Sequence, residues 1–114
     1  PLFVSVQIAA VFVSLDINAA WWHKDLVINL KTYEAKAGDR LLDLTFMEYE
    51  LLKFFIEHQE NAWSREQLLE KVWGYDYFGG ARTVDVHVRR LRAKLGEKRS
   101  EWIKTIHSVG YKFN

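Results

Sequence analysis

Apolar and polar positions along the chain follow two different periods. Leu26, Ile28 and Leu30 occupy every second position, a spacing that is typical of β-strands. The turn-like residues 37–39 come next, and residues 41–44 then resume an extended run. The first half of the pattern therefore predicts a β-hairpin in residues 25–44.

Three helices are predicted after this hairpin. Thr45, followed three positions later by a glutamate, forms a capping box in front of apolar residues with helical spacing. A second capping pattern at Ser64 begins a helix that Gly74 is expected to stop. The third helix is predicted over Arg82–Leu95, with Gly96 as its C-terminal stop.

The chain closes with a second hairpin pattern. Residues 102–106 and 110–113 are apolar and extended in character, and they bracket the short segment 107–109. The order of strands, three helices and a two-stranded hairpin predicts one α+β domain over residues 25–114.

Residues 1–24 are harder to interpret. Asp16 is the only charged residue among the first 22, so a membrane helix is one interpretation. Alternation of apolar residues over 2–8, and in the opposite phase over 11–17, favours strands added to the sheet. Trp21 and Trp22 fit a strand packed on the sheet better than an interfacial belt. A membrane partner is therefore not expected.

Composition excludes several classes of function. The chain has no cysteine, which rules out disulfides and thiolate metal sites and fits a cytoplasmic location. The four histidines lack the spacing of metal ligands, and no serine or carboxylate pair lies in a recognisable catalytic setting. We therefore expect neither an enzyme nor a cofactor, metal or small-molecule substrate.

The near-zero net charge hides a strong asymmetry. Residues 39–78 carry four basic and nine acidic residues, whereas residues 79–114 carry nine basic and three acidic residues. A basic C-terminal third on a chain of net charge +1 indicates one face suited to a polyanion.

The third predicted helix has two contrasting faces. At about 100° per residue, Val84, Val88, Leu91 and Leu95 share one narrow stripe, which predicts a buried face. Arginine can bind phosphates and guanine edges, and a small apolar side chain can contact a thymine methyl group. A merely solvated basic surface is the alternative interpretation. The outward side holds Arg82, Val86, Arg89, Arg90 and Ala93, with His87 and Arg92 on the flanks.

From residue 25 to 113 the chain resembles the C-terminal effector domain of OmpR/PhoB-type response regulators, a winged helix-turn-helix family of bacterial transcription factors. The resemblance covers the effector domain only and implies a sheet, three helices and a hairpin wing. The matching blocks read LT and EYELL (44–45, 48–52), SREQLL (64–69), VWG (72–74), RTVDVH (82–87), RRLR (89–92) and VGY (109–111).

The resemblance also implies roles for individual residues. The helix that starts at Thr83 would lie in the major groove of double-stranded DNA, where Arg90 matches a base contact and Val86 a thymine-methyl contact. The wing, with His107 and Lys112, would reach the adjacent minor groove. Groove or backbone contacts are implied for Arg82, His87, Arg89 and Arg92. DNA-backbone contacts from the surrounding scaffold are implied for Arg65, Trp73, Thr105 and Tyr111.

Two further partners follow from the resemblance. The loop 74–80 matches the segment that contacts RNA polymerase in activators, and its candidate residues are Tyr75, Asp76, Tyr77 and Phe78. A second copy of the domain is expected on tandem DNA half-sites.

The chain departs from the family pattern at the start of the first helix and at the wing tip. Phe46 stands where the family usually has proline after the threonine cap, and helix initiation should survive because proline there only preorganises the first turn. His107 and Ser108 stand where many members have Arg-Gly at the wing tip. A mostly neutral imidazole suits a narrow, electronegative minor groove less well than arginine.

The aromatic residues divide into two groups. Phe54, Phe55 and the tryptophans at 63, 73 and 102 are expected in the core, and the indole N–H of Trp73 is a candidate for reaching a phosphate. The loop aromatics at 75, 77 and 78 either fold back onto the core or form an exposed contact patch.

The sequence thus predicts sequence-specific binding of double-stranded DNA and regulation of transcription, as the effector domain of a two-component response regulator. Two alternatives stay open. One is a winged-helix module for protein–protein contact, and the other is a membrane-tethered regulator anchored by residues 1–22.

Overall fold

A computed structural model describes residues 19–114, which form two antiparallel sheets and four α-helices. The expected strands or membrane anchor in residues 1–18 lie outside this described part. The strands are β1 (Ala20–His23), β2 (Leu26–Asn29), β3 (Glu34–Ala37), β4 (Arg40–Leu41), β5 (Ala62–Ser64), β6 (Ile103–Ile106) and β7 (Gly110–Phe113). The helices are α1 (Phe46–Glu57), α2 (Arg65–Leu68), α3 (Arg82–Leu95) and α4 (Glu97–Ser100).

The first sheet is a meander of four strands in the order β1-β2-β3-β4. All four residues of β2 are buried, because Leu26 and Ile28 join the main core while Val27 packs with Ala20 and Trp22 on the opposite face. Trp21, the neighbour of Trp22, packs against the main core. The expectation that this tryptophan pair belongs to a strand packed on the sheet is confirmed.

The predicted single hairpin over residues 25–44 is wrong in one respect, because the segment makes two turns. The additional turn follows β2, where the side-chain oxygen of Asn29 accepts hydrogen bonds from the backbone N–H groups of Lys31 (2.9 Å) and Thr32 (3.2 Å). Such an Asx turn reverses the chain without glycine or proline, and Tyr33 completes it at φ 59°. The extended run was also overestimated, since β4 already ends at Leu41.

Helices α1 and α2 begin where the capping patterns predicted. The Thr45 hydroxyl accepts from the backbone N–H of Glu48, and the Glu48 carboxylate accepts from the backbone N–H of Thr45 at 2.9 Å. Ser64 and Gln67 form the same reciprocal pair in front of α2. Because each box satisfies two backbone groups that lack a helical partner, the chain is directed into a helix at both points.

Helix α2 changes to π-helical geometry over Leu69–Trp73, which the sequence did not predict. At its end the backbone N–H of Gly74 donates to the carbonyls of both Leu69 and Glu70, each at 3.1 Å. Gly74 has φ 103°, a left-handed conformation that glycine adopts without strain, so the predicted stop at this residue is confirmed.

Helix α3 has the predicted bounds, and its apolar stripe is buried as predicted. Val84, Val88, Leu91 and Leu95 are at most 1% exposed and belong to the main core with residues of α1 and β7. Gly96 ends the helix at φ 95°, and its N–H donates to the Arg92 carbonyl at 3.2 Å. The short helix α4 follows directly and was not predicted.

The C-terminal hairpin has a third strand that the sequence analysis missed. β5 pairs with β7, so the order in this sheet is β5-β7-β6. A Cβ atom on Gly110 would lie 2.0 Å from the Trp63 carbonyl oxygen, so only glycine permits this close approach. The resulting architecture is the α+β winged helix-turn-helix that the family resemblance implied.

The core contains the aromatic residues assigned to it. Phe54 and Phe55 are buried, and Trp63, Trp73 and Trp102 are partly buried against the same cluster. Tyr49 is also buried, and its hydroxyl donates to the Asn29 carbonyl at 3.1 Å. Burial raises the pKa of Tyr49 to about 12.

His23 joins the first sheet to the wing. Its Nδ1 donates to the side-chain oxygen of Gln59 at 2.8 Å, and its ring lies against those of Trp102 and Phe113. Nε2 is buried and has no hydrogen-bond partner within residues 19–114. Burial lowers the pKa of His23 below its ordinary value of 6.5, and the hydrogen bond to Gln59 only partly opposes this.

We predict that the free energy of unfolding is nearly constant between about pH 7.5 and 6.5 and decreases as the pH falls from there through the lowered pKa of His23. The unfolded chain binds this proton more readily than the folded chain, so acidification favours unfolding. Urea titrations between pH 7.5 and 5.5 should show a smaller decrease for His23→Gln than for the unsubstituted protein. The lower limit of pH 5.5 is chosen because Asp25 and Glu48, whose pKa values are lowered, take up protons only at more acidic pH. Parallel profiles for both proteins would contradict this assignment.

Candidate nucleic-acid interface

The outward face of α3 presents three arginines to solvent. Arg82, Arg89 and Arg90 are exposed, and no hydrogen bond or ion pair to another residue of the described chain holds them. Val86 lies among them and is half-buried. Because the opposite stripe of the helix is in the core, these guanidinium groups can only point away from the protein.

Arg92, predicted on the flank of this face, is held by the wing. Its Nη2 donates to the carbonyl of Ile103 at 2.7 Å and to the hydroxyl of Thr105 at 2.9 Å. Its guanidinium carbon lies 5.6 Å from the centre of the Tyr111 ring. Arg92 therefore joins α3 to both strands of the hairpin, and the structure brings it together with two predicted backbone contacts.

Asp85 is a central residue that the sequence analysis missed. Its Oδ1 accepts hydrogen bonds from Nε of Arg65 at 2.8 Å and from the hydroxyl of Tyr111 at 2.6 Å. The pKa of Tyr111 is raised, first by burial and then by this hydrogen bond, so the hydroxyl stays protonated and continues to donate. The only available signal was that Asp85 is the sole carboxylate among the basic residues of α3.

The start of α3 is attached to the π-helical segment and its loop. His87 Nδ1 donates to the Thr83 carbonyl at 2.8 Å, and the centre of its ring lies 5.0 Å from that of Trp73 in an edge-to-face arrangement. The Tyr77 hydroxyl lies 3.2 Å from the Thr83 hydroxyl, within hydrogen-bonding distance. Pairwise contacts thus link four predicted site residues into one cluster: Trp73, Tyr77, Thr83 and His87.

The aromatic loop 74–80 was expected either to fold back onto the core or to form an exposed contact patch. Tyr75 and Phe78 are 86% and 97% exposed, so the idea that they fold back onto the core is wrong. They project because the loop closes over Trp73 with Tyr77 alone, whose ring centre lies 6.4 Å from that of Trp73. Asp76 is exposed with them. The surface formed by Tyr75, Asp76 and Phe78 is called the loop patch below.

The tip of the wing is exposed at His107, Ser108 and Val109. Ser108 has φ 64°, a left-handed conformation at the position where many family members have glycine. Lys112 lies in β7 next to Tyr111, and neighbouring residues in a strand point to opposite faces. Because Tyr111 contacts Asp85 of α3, the side chain of Lys112 points away from that helix.

The C-terminal end of α3 is anchored by a buried ion pair. Lys94 Nζ donates to Glu48 Oε1 at 2.6 Å, and Glu48 is only 1% exposed. Burial alone would raise the pKa of Glu48, but hydrogen bonds from Lys94 and Thr45 outweigh it and the pKa is lowered. One carboxylate therefore caps α1 and fixes the end of α3.

Other types of site have little support in the geometry. Across residues 19–114, the histidine and carboxylate side chains form no group of three or more that could hold a metal ion. No helix in the same part of the chain has both the length and the apolar character needed to cross a bilayer.

Comparison with known proteins gives a consistent result. Residues 38–113 match the family described as "Transcriptional regulatory protein, C terminal". The uncharacterized transcriptional regulatory protein YclJ of Bacillus subtilis is 46% identical over 88 residues, which is 76% of this chain and 39% of YclJ. The chain therefore spans about two fifths of this relative.

Two solved structures have the same fold. The DNA-binding domain of Bacillus subtilis CssR is 39% identical, with a TM-score of 0.70, and the match covers 78% of this chain and 99% of that domain. The DNA-binding domain of Klebsiella pneumoniae RstA, solved in complex with the RstA box, is 29% identical, with a TM-score of 0.73. That match covers 82% of this chain and 95% of the RstA domain.

We predict that loss of the Glu48–Lys94 ion pair lowers the free energy of unfolding. Lys94→Met leaves a buried carboxylate without its cation, which should destabilise the fold by about 3 kcal/mol. Adding Glu48→Gln should recover most of that loss, since glutamine keeps the capping hydrogen bonds and carries no charge. Urea denaturation of both variants measures the difference. If the double variant is no more stable than Lys94→Met, the buried charge is not the cause.

Proposed function

Because the chain belongs to the family of C-terminal domains of transcriptional regulatory proteins, which are DNA-binding domains of the OmpR/PhoB type, we propose that it binds specific sequences of double-stranded DNA and regulates transcription. In this proposal it is the effector domain of a two-component response regulator. It would act in the cytoplasm, where bacterial chromosomal DNA lies.

One observation carries the proposal. Arg82, Arg89 and Arg90 project together from one face of a helix whose opposite face is buried. These guanidinium groups have no partner among residues 19–114, and such a row on a rigid helix suits the major groove, where arginine reads guanine and binds phosphate oxygens. The RstA domain, which has the same fold, was solved in complex with the RstA box.

In this proposal, some outward residues of α3 contact bases and others contact phosphates or support the wing. Arg90 contacts a guanine edge and Val86 a thymine methyl group, while Arg82 and Arg89 bind phosphates. Arg92 acts mainly by holding the wing through Ile103 and Thr105.

The scaffold around α3 supplies backbone contacts. Arg65 is 52% exposed beside the hairpin, where its guanidinium can reach a phosphate. Three further scaffold residues lie around α3 and would contact the DNA backbone: Trp73, Thr105 and Tyr111. His87 lies on α3 itself and would contact the groove or the backbone from there. The exposed wing tip at His107 would face the minor groove, while the orientation of Lys112 makes it a weaker candidate for contact near α3.

Two protein partners complete the proposal. The loop patch offers two exposed aromatic rings and a carboxylate, which suit a contact with RNA polymerase. A single module of this size buries limited surface on DNA, so a second copy on a neighbouring half-site would supply the remaining affinity. The competing idea, a winged helix that binds only proteins, makes no use of the exposed arginines.

Salt dependence distinguishes these two functions. If three to five phosphates are neutralised, the logarithm of the binding constant should fall against the logarithm of salt concentration with a slope of about −3 to −4.5. Fluorescence anisotropy with a labelled duplex, from 50 to 300 mM salt, measures the slope. The protein-binding alternative predicts weak binding with no such slope, and that result would refute the proposal.

Two arginines on α3 should differ in their effect on specificity. Arg90→Ala should cost about 1–3 kcal/mol on a preferred duplex and much less on random DNA, because it removes a base contact. Arg82→Ala should weaken binding to both duplexes by a similar factor, because a phosphate contact carries no sequence information. Preferred duplexes are first selected from a random library with the unsubstituted protein. Equal losses on both duplexes for Arg90→Ala would contradict its role as a base contact.

A further inference from the structure

Asp85 occupies an unfavourable place for a carboxylate in a DNA-binding surface. It lies between exposed arginines on the outward side of α3, and its side chain is 34% exposed. A cavity of about 270 Å³ opens on this surface and is lined by Arg82, Asp85, Val86 and Arg89. Any phosphate bound to these arginines is therefore also close to a negative charge, which weakens its binding.

We infer that Asp85 determines specificity by restraining Arg65 and the wing, at the expense of affinity for DNA in general. This inference rests on the proposed DNA binding. Repulsion between Asp85 and phosphate acts on every duplex, whatever its sequence. The restraint of Arg65 and the wing, in contrast, favours only DNA whose backbone fits their fixed positions. The ratio of the affinity for preferred DNA to the affinity for random DNA therefore increases.

The geometry of Arg65 supports the first half of this restraint. Its Nε donates to Asp85 at 2.8 Å, which fixes the plane of the guanidinium group. The outer edge, formed by the two Nη atoms, is then directed one way and can bind a phosphate only there. Without Asp85, the flexible side chain of Arg65 could follow phosphates in many registers.

The geometry of Tyr111 supports the second half. Its hydroxyl donates to the same Oδ1 atom at 2.6 Å, so α2, α3 and β7 meet at one oxygen. The Arg92 guanidinium lies over the Tyr111 ring and bonds to β6. The hairpin packs on α3 through the main core, and two polar contacts fix its position further. The contact at Asp85 lies closer to the start of the helix.

The test is Asp85→Asn, which keeps the shape of the side chain and removes its charge. Its affinity for a random duplex pool should rise about fivefold, the value of one unit charge at contact distance in water. Its affinity for the preferred duplex, selected beforehand with the unsubstituted protein, should rise less or fall. The salt slope on random DNA should become steeper by about 0.9, because Asp85 no longer neutralises the charge of Arg65 and that charge is available to a phosphate.

Two further variants serve as controls. Asp39→Asn makes the same change in net charge in the exposed turn between β3 and β4, and it should leave the ratio of the two affinities unchanged. Asp85→Glu keeps the charge, so its affinity for random DNA should stay low. This variant also keeps the test valid if Asp85→Asn unfolds, because Asp85→Glu with increased affinity for random DNA would contradict a charge effect.

The outcomes separate the inference from the function on which it rests. If the unsubstituted protein does not bind duplex DNA in a salt-dependent way, the proposed function fails. If it binds but Asp85→Asn changes both affinities by one factor, or lowers both, Asp85 has only a structural role and the inference is overturned. The same holds if Asp39→Asn changes the ratio as much as Asp85→Asn does.

Discussion

Burial of one stripe of α3 is the constraint on which the rest of the molecule depends. Val84, Val88 and Leu91 are inaccessible to solvent, and rotation of the helix by a single residue, about 100°, would place arginines in the core. Such burial of unpaired charge would cost far more than the fold can supply. The orientation of the outward arginines is therefore a consequence of packing, and it does not require DNA to be present.

Polar contacts then divide six of the nine basic residues in 79–114 into two classes. Arg92, Lys94 and Arg99 are engaged with the wing, Glu48 and Asp25 respectively, and so they hold the domain together. Arg82, Arg89 and Arg90 have no such engagement within the described residues and remain for a ligand. The positive charge counted in the sequence is thus larger than the charge available at the surface, because part of it serves the architecture.

The features that the sequence predicted correctly are those that depend on residues within one short segment. The starts of α1 and α2 depend on capping residues, and these predictions hold. The bounds of α3 depend on its helical period and on Gly96 at its end, and they hold as well. The strand β5 and the contacts of Asp85 depend on residues distant in sequence, so no local pattern reveals them. The π-helical segment and the exposure of Phe78 depend on how the backbone closes around Trp73, which residue type alone does not determine.

The pairing of β5 with β7 closes a long loop of chain that contains α2, the loop patch and α3. The entropy cost of closing a loop grows only slowly with its length, by about 0.6 kcal/mol for each doubling. Residues could therefore be added between Gly74 and Arg82 with little effect on the stability of the sheet. The length and chemistry of this exposed segment can therefore change while the position of α3 stays fixed.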